Sequence, residues 1–390
     1  MTTVEAPAES LGIPEDTLAN AGALWTAREI AQQPRMLERT HALLADLREH
    51  IDAFVAPLAQ DARARVILTG AGTSAYIGQC LAPWLDRRLA ARVDAVPTTD
   101  LVSCPELHLD PDQPLLLVSF GRSGNSPESI AAVELAEAQV RDVRHLIVTC
   151  NPQGALARMS VRQALTLQLP EETHDVSFAM TSSFSCMLYA TRQALSPDST
   201  DAGTVAAIAT ATADVITRGR PMLEDLAAQG FDRVVYLGSG LLQGLAREAS
   251  LKLGELTNGA VATCFDTPLG FRHGPKTFIT ANTLVVVFVS NDPLTRRYDH
   301  DLIDELRGDA CAARVIEIAA RPRAEAAAHT LPVAGLAGAN DIDLLWPYVA
   351  AAQIFAFGSS LTRGLSPDNP NKQGTVNRVV QGVRIHARDA

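Results

Sequence analysis

The sequence has little positive charge for its size. Its 390 residues include 33 lysines and arginines against 44 aspartates and glutamates, which gives a formal net charge of −11. Nucleic acids and acidic membranes bind proteins through basic faces that release counterions. The composition therefore argues against a nucleic acid or a membrane as a partner, and any anion must be held by a local group of donors.

Long apolar runs are missing as well. The longest aliphatic stretches, such as LVVVFV at residues 284–289, are far shorter than the ~18 to 20 apolar residues that span a bilayer. The N-terminal stretch MTTVEAPAESLGIPED has acids and prolines where a secretory signal needs a basic region and then an apolar one. We therefore expect no membrane segment and a cytoplasmic protein.

Cysteine is scarce and scattered. The six cysteines include no C-x-x-C pair, and no histidine stands at ligand spacing from them. This pattern indicates free thiols and predicts that the protein has no metal site.

What the sequence does contain is a long internal repeat. RVILTGAGTSAYIGQCLAPWL from Arg65 resembles RVVYLGSGLLQGLAREASLKL from Arg233, an offset of 233 − 65 = 168 residues. Two further runs, LLLVSF and RHLIVTC, match LVVVFV and ARVIEIA at offsets of 284 − 115 = 169 and 313 − 144 = 169 residues. Continuous apolar strands that alternate with helices predict an α/β fold of two tandem domains, each a parallel sheet flanked by helices.

The same pattern divides the chain into three parts. Residues 1–50 are expected to form an N-terminal extension of amphipathic helices, residues 51–200 the first domain, and residues 201–390 the second domain with a C-terminal tail. The joint between the domains is placed near LSPDSTDAGT, residues 195–204, where Ser, Asp and Gly cluster.

A polar loop, GRSGNSPES at residues 121–129, follows the second strand of the first repeat. Ligands of open α/β sheets bind at the carboxyl ends of strands, where helix N-termini present free N–H groups. The hydroxyls of Ser123 and Ser126, the loop N–H groups and Arg122 are suited to a phosphate. The competing interpretation is that Ser126 merely caps a helix that begins at Pro127. The second repeat has SNDPLTRRYDH here, so only the first predicts an anion site.

The first glycine loop, GAGTSAY, allows two interpretations. Thr73 and Ser74 could join the same phosphate site. Alternatively, the Gly70-x-Gly72 pattern, with Asp94 following 94 − 70 = 24 residues later, resembles a dinucleotide fingerprint. A dinucleotide domain needs no second serine-rich loop, and this favours the phosphate site.

The second domain carries groups suited to proton transfer. Glu248, Lys252 and Glu255 are spaced four and three residues apart and therefore share one helix face. His273 lies soon after them in the loop GFRHGPK. The alternative is that these Glu and Lys side chains form a solvent-exposed helix face and that the histidine is merely exposed. Together with a phosphate site, however, a carboxylate and a histidine are the parts needed for proton transfer on a sugar phosphate.

At this point the chain resembles a known family, the two-domain sugar isomerase (SIS) proteins and, among them, the galactosamine-6-phosphate deaminase/isomerase family. The resemblance extends over nearly the whole chain and rests on REIAQQP, GAGTSAYIG, VPTTDLV, LLLVSFGRSGNSPES, ETHDVSFAMTSS, YLGSGLLQGLARE, GFRHGPK and GTVNRVVQGV. It implies conversion of D-galactosamine 6-phosphate to D-tagatose 6-phosphate and ammonia, without a cofactor. A plain aldose/ketose isomerase of hexose 6-phosphates, a glucosamine-6-phosphate deaminase and a non-catalytic sugar-phosphate sensor stay open.

The resemblance also implies roles for individual residues. The phosphate would be held by Ser74, Gly121, Arg122, Ser123 and Ser126. Glu255 would be the catalytic base, and His273 would open the sugar ring from a neighbouring subunit, which implies a homodimer or a larger assembly. Lys252 and Glu248 would lie near the reacting carbons, and the sugar pocket would include Thr73, Phe178, Ala179 and Thr181. A related synthase domain has a lysine in its C-terminal tail where this tail aligns a glycine, so Lys372 receives no role.

Overall fold

The structure is a computed structural model that describes residues 9–199, 201–380 and 382–386. An N-terminal layer comes first along the chain. It contains a short hairpin and four helices: β1 (Glu9–Ser10), β2 (Ile13–Pro14), α1 (Glu15–Ala21), α2 (Leu24–Ala31), α3 (Gln33–Asp46) and α4 (Arg48–Ala59).

The first α/β unit follows the N-terminal layer. Its elements are β3 (Arg65–Thr69), α5 (Thr73–Leu85), β4 (Arg92–Ala95), α6 (Thr98–Ser103), β5 (Leu115–Gly121), α7 (Pro127–Gln139), β6 (Val143–Thr149), β7 (Ala164–Gln168) and α8 (Ser182–Leu195). The five strands are all parallel and lie in the order β4-β3-β5-β6-β7.

The second unit repeats this arrangement. Its elements are α9 (Ala202–Asp214), α10 (Arg220–Ala228), β8 (Arg233–Gly238), α11 (Leu241–Leu256), β9 (Ala262–Asp266), α12 (Pro268–Phe271), β10 (Thr283–Phe288), α13 (Pro293–Asp309), β11 (Arg314–Ala319), β12 (Thr330–Pro332) and α14 (Asp341–Thr362). The strands are parallel in the order β9-β8-β10-β11-β12, the same order as in the first sheet. The predicted α/β fold of two tandem sheets is confirmed, and the three strand pairs matched in sequence are equivalent in space.

Both faces of the first sheet are buried. Val66 and Leu116 belong to a large apolar cluster that includes the N-terminal helices, whereas Ile67 and Leu117 belong to a separate cluster on the other face. Successive strand residues point to opposite faces, so continuous apolar strands fit a sheet covered on both sides.

Helix α14 lies at the centre of the molecule. Among the described residues it is the one helix whose length and composition would allow it to cross a membrane, but 89% of its most apolar window is buried inside the fold. It packs against α9, α10 and α11. We therefore assign α14 to the protein core.

The division of the chain into three parts stays a prediction. The boundary at residues 50 and 51 falls within α4, whereas the first sheet begins at Arg65. The second boundary, at residue 200, lies outside the described residues. It falls between α8 and α9, which end and begin at Leu195 and Ala202.

Candidate active site

The two α/β units meet where α5 packs against α11. A Cβ at Gly244 would lie 2.8 Å from the backbone nitrogen of Cys80, so the close approach of these helices requires glycine. Eight residues further along α11, Lys252 contacts Thr73, which lies seven residues back along α5. The helices therefore run antiparallel, and the C-terminal end of α11 meets the N-terminal end of α5.

A buried cluster of charges occupies this meeting point. The Lys252 Nζ donates to Glu255 Oε2 at 2.5 Å and to Thr73 Oγ1 at 2.9 Å, and it lies 3.4 Å from Glu248 Oε1. Lys252 and Glu248 are fully buried, whereas 25% of the Glu255 side chain is exposed. The structure thus groups the three residues that the spacing placed on one helix face, and Glu255 is the carboxylate that a ligand can reach.

Burial and the two acids act together on the pKa values of this cluster. Burial, reinforced by the neighbouring Glu255, raises the pKa of Glu248 to about 7, although Lys252 opposes the shift. Burial opposes the charge of Lys252, but the attraction of Glu248 and Glu255 outweighs it, so the pKa of the ammonium is raised. Lys252 therefore stays protonated, and its ammonium contacts Glu255.

The serine-rich loop and the N-terminus of α5 form a small cleft. Ser74, Gly121, Arg122, Ser123 and Ser126 all line it, together with residues of the C-terminal segment. Its volume is about 110 Å³, well below the roughly 300–1,000 Å³ of pockets that enclose whole ligands. A single small group such as a phosphate fits this size, and the free N–H groups of two helix N-termini favour an anion.

The local geometry of the loop is specific. Gly124 has φ +65°, a conformation that favours glycine. Ser126 stands at the N-cap of α7 and Pro127 at its first position, as predicted. The Ser126 hydroxyl does not cap the helix, however, because it donates to Glu128 Oε2 at 2.6 Å. Capping of backbone N–H groups therefore does not explain why serine stands at this position.

The equivalent loop of the second unit already holds carboxylates of the protein itself. Asp299 accepts bonds from the Ser290 backbone at 3.0 Å and the Ser239 hydroxyl at 2.7 Å. Asp341 accepts bonds from the Asn291 backbone at 2.6 Å and the Ser290 hydroxyl at 2.5 Å. Donors that could hold an anion are thus satisfied internally in the second unit, and an anion site in the first repeat stays a prediction.

Arg122 is engaged with backbone carbonyls rather than with acids. Its Nη1 donates to Ser177 O at 3.1 Å and Phe178 O at 3.0 Å, and its Nη2 donates to Arg378 O at 2.8 Å. The residue is only 6% exposed. Burial and the nearby Arg378 lower the pKa of Arg122 to about 10, so it stays charged at neutral pH.

The predicted sugar-pocket segment is held by two buried acids that the sequence analysis missed. Glu29 of α2 accepts bonds from the backbone of Val176 and from both the backbone and the hydroxyl of Ser177. Asp175 accepts bonds from the start of α8, including the Thr181 backbone at 2.7 Å. Asp175 was visible as an acid just before a serine-rich helix start, but nothing local in the sequence connected Glu29 to this segment.

Other predicted pocket residues lie close to these contacts. Thr181 and Ala179 are buried, and Phe178 is half-buried with its carbonyl on Arg122. Thr73 is buried against Lys252. The segment therefore connects the loop of Arg122 to the N-terminal end of α8.

His273 lies apart from the charge cluster within one chain. It is exposed and follows α12. Phe271 of α12 packs with Leu302 of α13 on one face of the second sheet, and Arg272 pairs with Glu305 of α13. Leu253 of α11 packs on the opposite face of that sheet. His273 and Glu255 of one chain therefore lie on or next to elements on opposite faces of the second sheet.

The structure also places Asp94 and Lys372, two further residues considered from the sequence. Asp94 accepts from Arg65 Nε at 2.6 Å and also pairs with Arg92, so this ion pair explains the acid without a ribose. Lys372 is exposed. Among the described residues, no group of three or more His, Cys, Asp or Glu side chains is placed to hold a metal ion.

Known proteins resemble this chain over nearly its full length. The SIS domain matches residues 60–197. A protein of Escherichia coli named D-galactosamine-6-phosphate deaminase AgaS is 46% identical over 372 residues, which cover 94% of this chain and 97% of that protein. A protein of the same name from Shewanella sp. (strain ANA-3) is 44% identical and covers 95% and 94%. The crystal structure of tagatose-6-phosphate ketose/aldose isomerase from Escherichia coli matches with a TM-score of 0.87 and 42% identity, covering 99% of this chain and all of that one.

Proposed function

Because this chain belongs to the SIS domain family and, within it, to the family of the D-galactosamine-6-phosphate deaminases named AgaS, we propose that it deaminates and isomerises a 6-phosphorylated amino sugar. The substrate is D-galactosamine 6-phosphate, and the products are D-tagatose 6-phosphate and ammonia. The contact of Lys252 with both Glu255 and Thr73 is the observation on which this proposal rests.

That contact sets the distance between the base and the phosphate site. Thr73 precedes Ser74, which lines the cleft, and adjacent Cα atoms are about 3.8 Å apart. A carboxylate tied to Thr73 is therefore close to an anion held beside Ser74. This spacing suits a short molecule with an anionic group at one end and an acidic C–H bond near the other.

The reaction begins with opening of the sugar ring by His273 of the partner subunit. Glu255 then removes the proton from C2 of the open amino sugar while O1 gains a proton, which forms an enaminol. Return of the proton from Glu255 to C1 gives a ketose imine, and water releases ammonia from C2. One carboxylate serves both transfers when it is fixed over one face of the substrate, an effect of orientation.

Lys252 has a positioning and electrostatic part in this scheme. Its ammonium fixes one oxygen of Glu255 at 2.5 Å. The other oxygen, Oε1, accepts no hydrogen bond from the described residues and is available to a substrate proton. Side chains alone supply this chemistry, so the proposal includes no cofactor.

The tagatose-6-phosphate isomerase name of a close structural relative favours a second candidate, an aldose/ketose isomerase of hexose 6-phosphates. The same base would serve it, but no ammonia would leave. Assays of purified protein with galactosamine 6-phosphate, glucosamine 6-phosphate, their N-acetylated forms and galactose 6-phosphate separate the candidates. Ammonia and ketose from galactosamine 6-phosphate support the proposal. Ketose from galactose 6-phosphate alone supports the isomerase, and binding without turnover supports a sensor.

Two expectations from the sequence belong to the same proposal. Within one chain, α12 before His273 and α11 with Glu255 pack on opposite faces of the second sheet, which supports a homodimer or larger assembly in which His273 serves the site of the partner subunit. We also propose a cytoplasmic location, which fits the metabolism of a phosphorylated sugar.

A further inference from the structure

The cleft contains a second arginine that the loop motif does not reveal. Arg378, from the C-terminal segment, lines the cleft beside Ser74, Ser123 and Ser126. Its Nη2 donates to the Asp175 carbonyl, whereas its Nε is buried and donates to no acceptor in the described part of the chain. Buried donors are nearly always paired in folded proteins. The unpaired Nε therefore leaves room for an acceptor supplied by a ligand.

The charge of Arg378 is also uncompensated. No ion pair joins it to a carboxylate of the described residues, and a neighbouring charge is that of Arg122. Asp175, the acid nearest to it along its contacts, is already held by donors at the start of α8. Two guanidinium groups in one partly buried cleft repel each other, and a bound anion would relieve this repulsion.

Arg122 has a different set of contacts. Three of the five N–H donors of its guanidinium are directed to carbonyl oxygens, and one of those oxygens belongs to Arg378 itself. Arg122 thus fixes the backbone from which Arg378 extends. It also fixes the turn at residues 177–178, which Glu29 holds from the other side.

The C-terminal segment is attached to the fold before it reaches the cleft. Asp368 accepts from the backbone of Thr26 at 2.8 Å, and its carbonyl accepts from Phe178 N at 3.0 Å. Asn371 Nδ2 donates to Asn258 Oδ1 at 3.0 Å, just beyond the end of α11. The segment therefore passes the Glu255 end of α11 and then the phosphate loop, so it borders both parts of the site.

We propose that Arg378 is the arginine that binds the phosphate of the substrate, whereas Arg122 is a positioning residue that holds the Arg378 backbone in place. This inference rests on the proposed function for the identity of the ligand. It assigns the anion-facing charge to a residue outside the serine-rich motif. It also explains why Arg122, the arginine of that motif, donates its N–H groups to carbonyl oxygens.

Binding and turnover of four variants test this division of roles. Arg378→Ala should weaken binding of inorganic phosphate and of tagatose 6-phosphate about ten- to hundred-fold, since a charged hydrogen bond is lost. It should raise KM by a similar factor and change kcat and the melting temperature little. Arg378→Lys should recover part of the affinity. Arg122→Ala should lower the melting temperature as well as the affinity. Arg384→Ala, a change of an exposed arginine in the same tail, is the matched control and should match the wild type.

The outcomes separate this inference from the proposed function. Phosphate affinity that is unchanged in Arg378→Ala but lost in Arg122→Ala, with an unchanged melting temperature, would overturn the division of roles. If Arg378→Ala fails to fold, Arg378→Met keeps the side-chain stem and must show the same loss of phosphate affinity. Binding of inorganic phosphate is measured without turnover. A wild-type protein that releases no ammonia would therefore contradict the function while the binding data still decide the role of Arg378.

Discussion

Replacement of Lys252 by methionine tests the buried charge cluster. The change removes the ammonium that contacts Glu255, Thr73 and Glu248, and it keeps an unbranched apolar chain in a fully buried position. Loss of one partner of a buried ion pair costs about 3–5 kcal/mol, because the other charge is left uncompensated. We expect a decrease towards the lower end of this range in the free energy of unfolding in mildly alkaline solution, where Glu248 of the wild type is mostly ionised and Glu248 of the variant can take up a proton.

The destabilisation should shrink in acidic solution. The pKa of Glu248 is raised by burial to about 7 in the folded protein, and loss of the ammonium raises it further. A carboxyl with a raised folded pKa contributes stability that is fully present below its unfolded value near 4.5 and is lost as the pH rises through the folded value. Protonated Glu248 carries no charge, so the loss of Lys252 destabilises the protein less in acidic solution.

Urea denaturation of wild type and Lys252→Met at about pH 5.5 and about pH 8 measures both effects. Lys276→Met is the control, because Lys276 pairs with Glu305 and Asp309 at a partly exposed site, where such pairs contribute only about 0–1 kcal/mol. A loss below about 1 kcal/mol for Lys252→Met at both pH values, or a larger loss in acid, would refute the reasoning.

Three further predictions concern the surroundings of the site. Gly244→Val should destabilise the protein by about 1–3 kcal/mol in urea melts because its side chain would collide with Cys80; Gly254→Ala on the same helix, where no atom lies within 4 Å of the added Cβ, should not destabilise it. Burial and Asp175 raise the pKa of Glu29 to about 8, so wild-type stability falls as the pH rises from 4.5 towards that value. Glu29→Gln should flatten this dependence, and an unchanged slope would contradict it. Mixing inactive Glu255→Gln and His273→Ala subunits should restore up to about one quarter of wild-type activity if sites are shared across a dimer, and no recovery would assign both residues to one chain.

The sequence predicts the strands, the helices and their order well, because these depend on local and repeated patterns. Strands β3 and β8 begin at Arg65 and Arg233, where the repeat placed them. The spacing of Lys252 and Glu255 on one helix face also follows from helix geometry alone. The two sheets have the same strand order because the two repeats have similar successions of strands and helices, and similar successions adopt the same topology.

The parts of the site that were missed depend on contacts between distant segments. Glu29 contacts Ser177 across 148 residues, and Arg122 contacts Arg378 across 256. No periodicity or spacing in a single sequence encodes such pairs. The loop motif drew attention to Arg122, but only the folded chain shows that its donors face carbonyls and that Arg378 also lines the cleft.

In the second repeat, too, the sequence left part of the structure unpredicted. Its missing serines predicted the loss of an anion site, but the sequence did not indicate what replaced the anion. Asp299 and Asp341 satisfy the donors there, and burial raises the pKa of Asp299 to about 6. In the second unit, carboxylates of the protein itself therefore occupy the donors of this loop.

In the proposed reaction, Glu255 transfers the proton between C2 and C1 at a site beside the phosphate cleft. Ammonia release from galactosamine 6-phosphate by Glu255→Gln, measured together with its affinity for tagatose 6-phosphate, tests this claim most directly. We predict that ammonia release falls by at least about a thousandfold, since general base catalysis contributes about 10²–10⁴-fold and the orientation of the base is lost with it, while phosphosugar affinity stays near that of the wild type. Ammonia release at the wild-type rate would contradict the account.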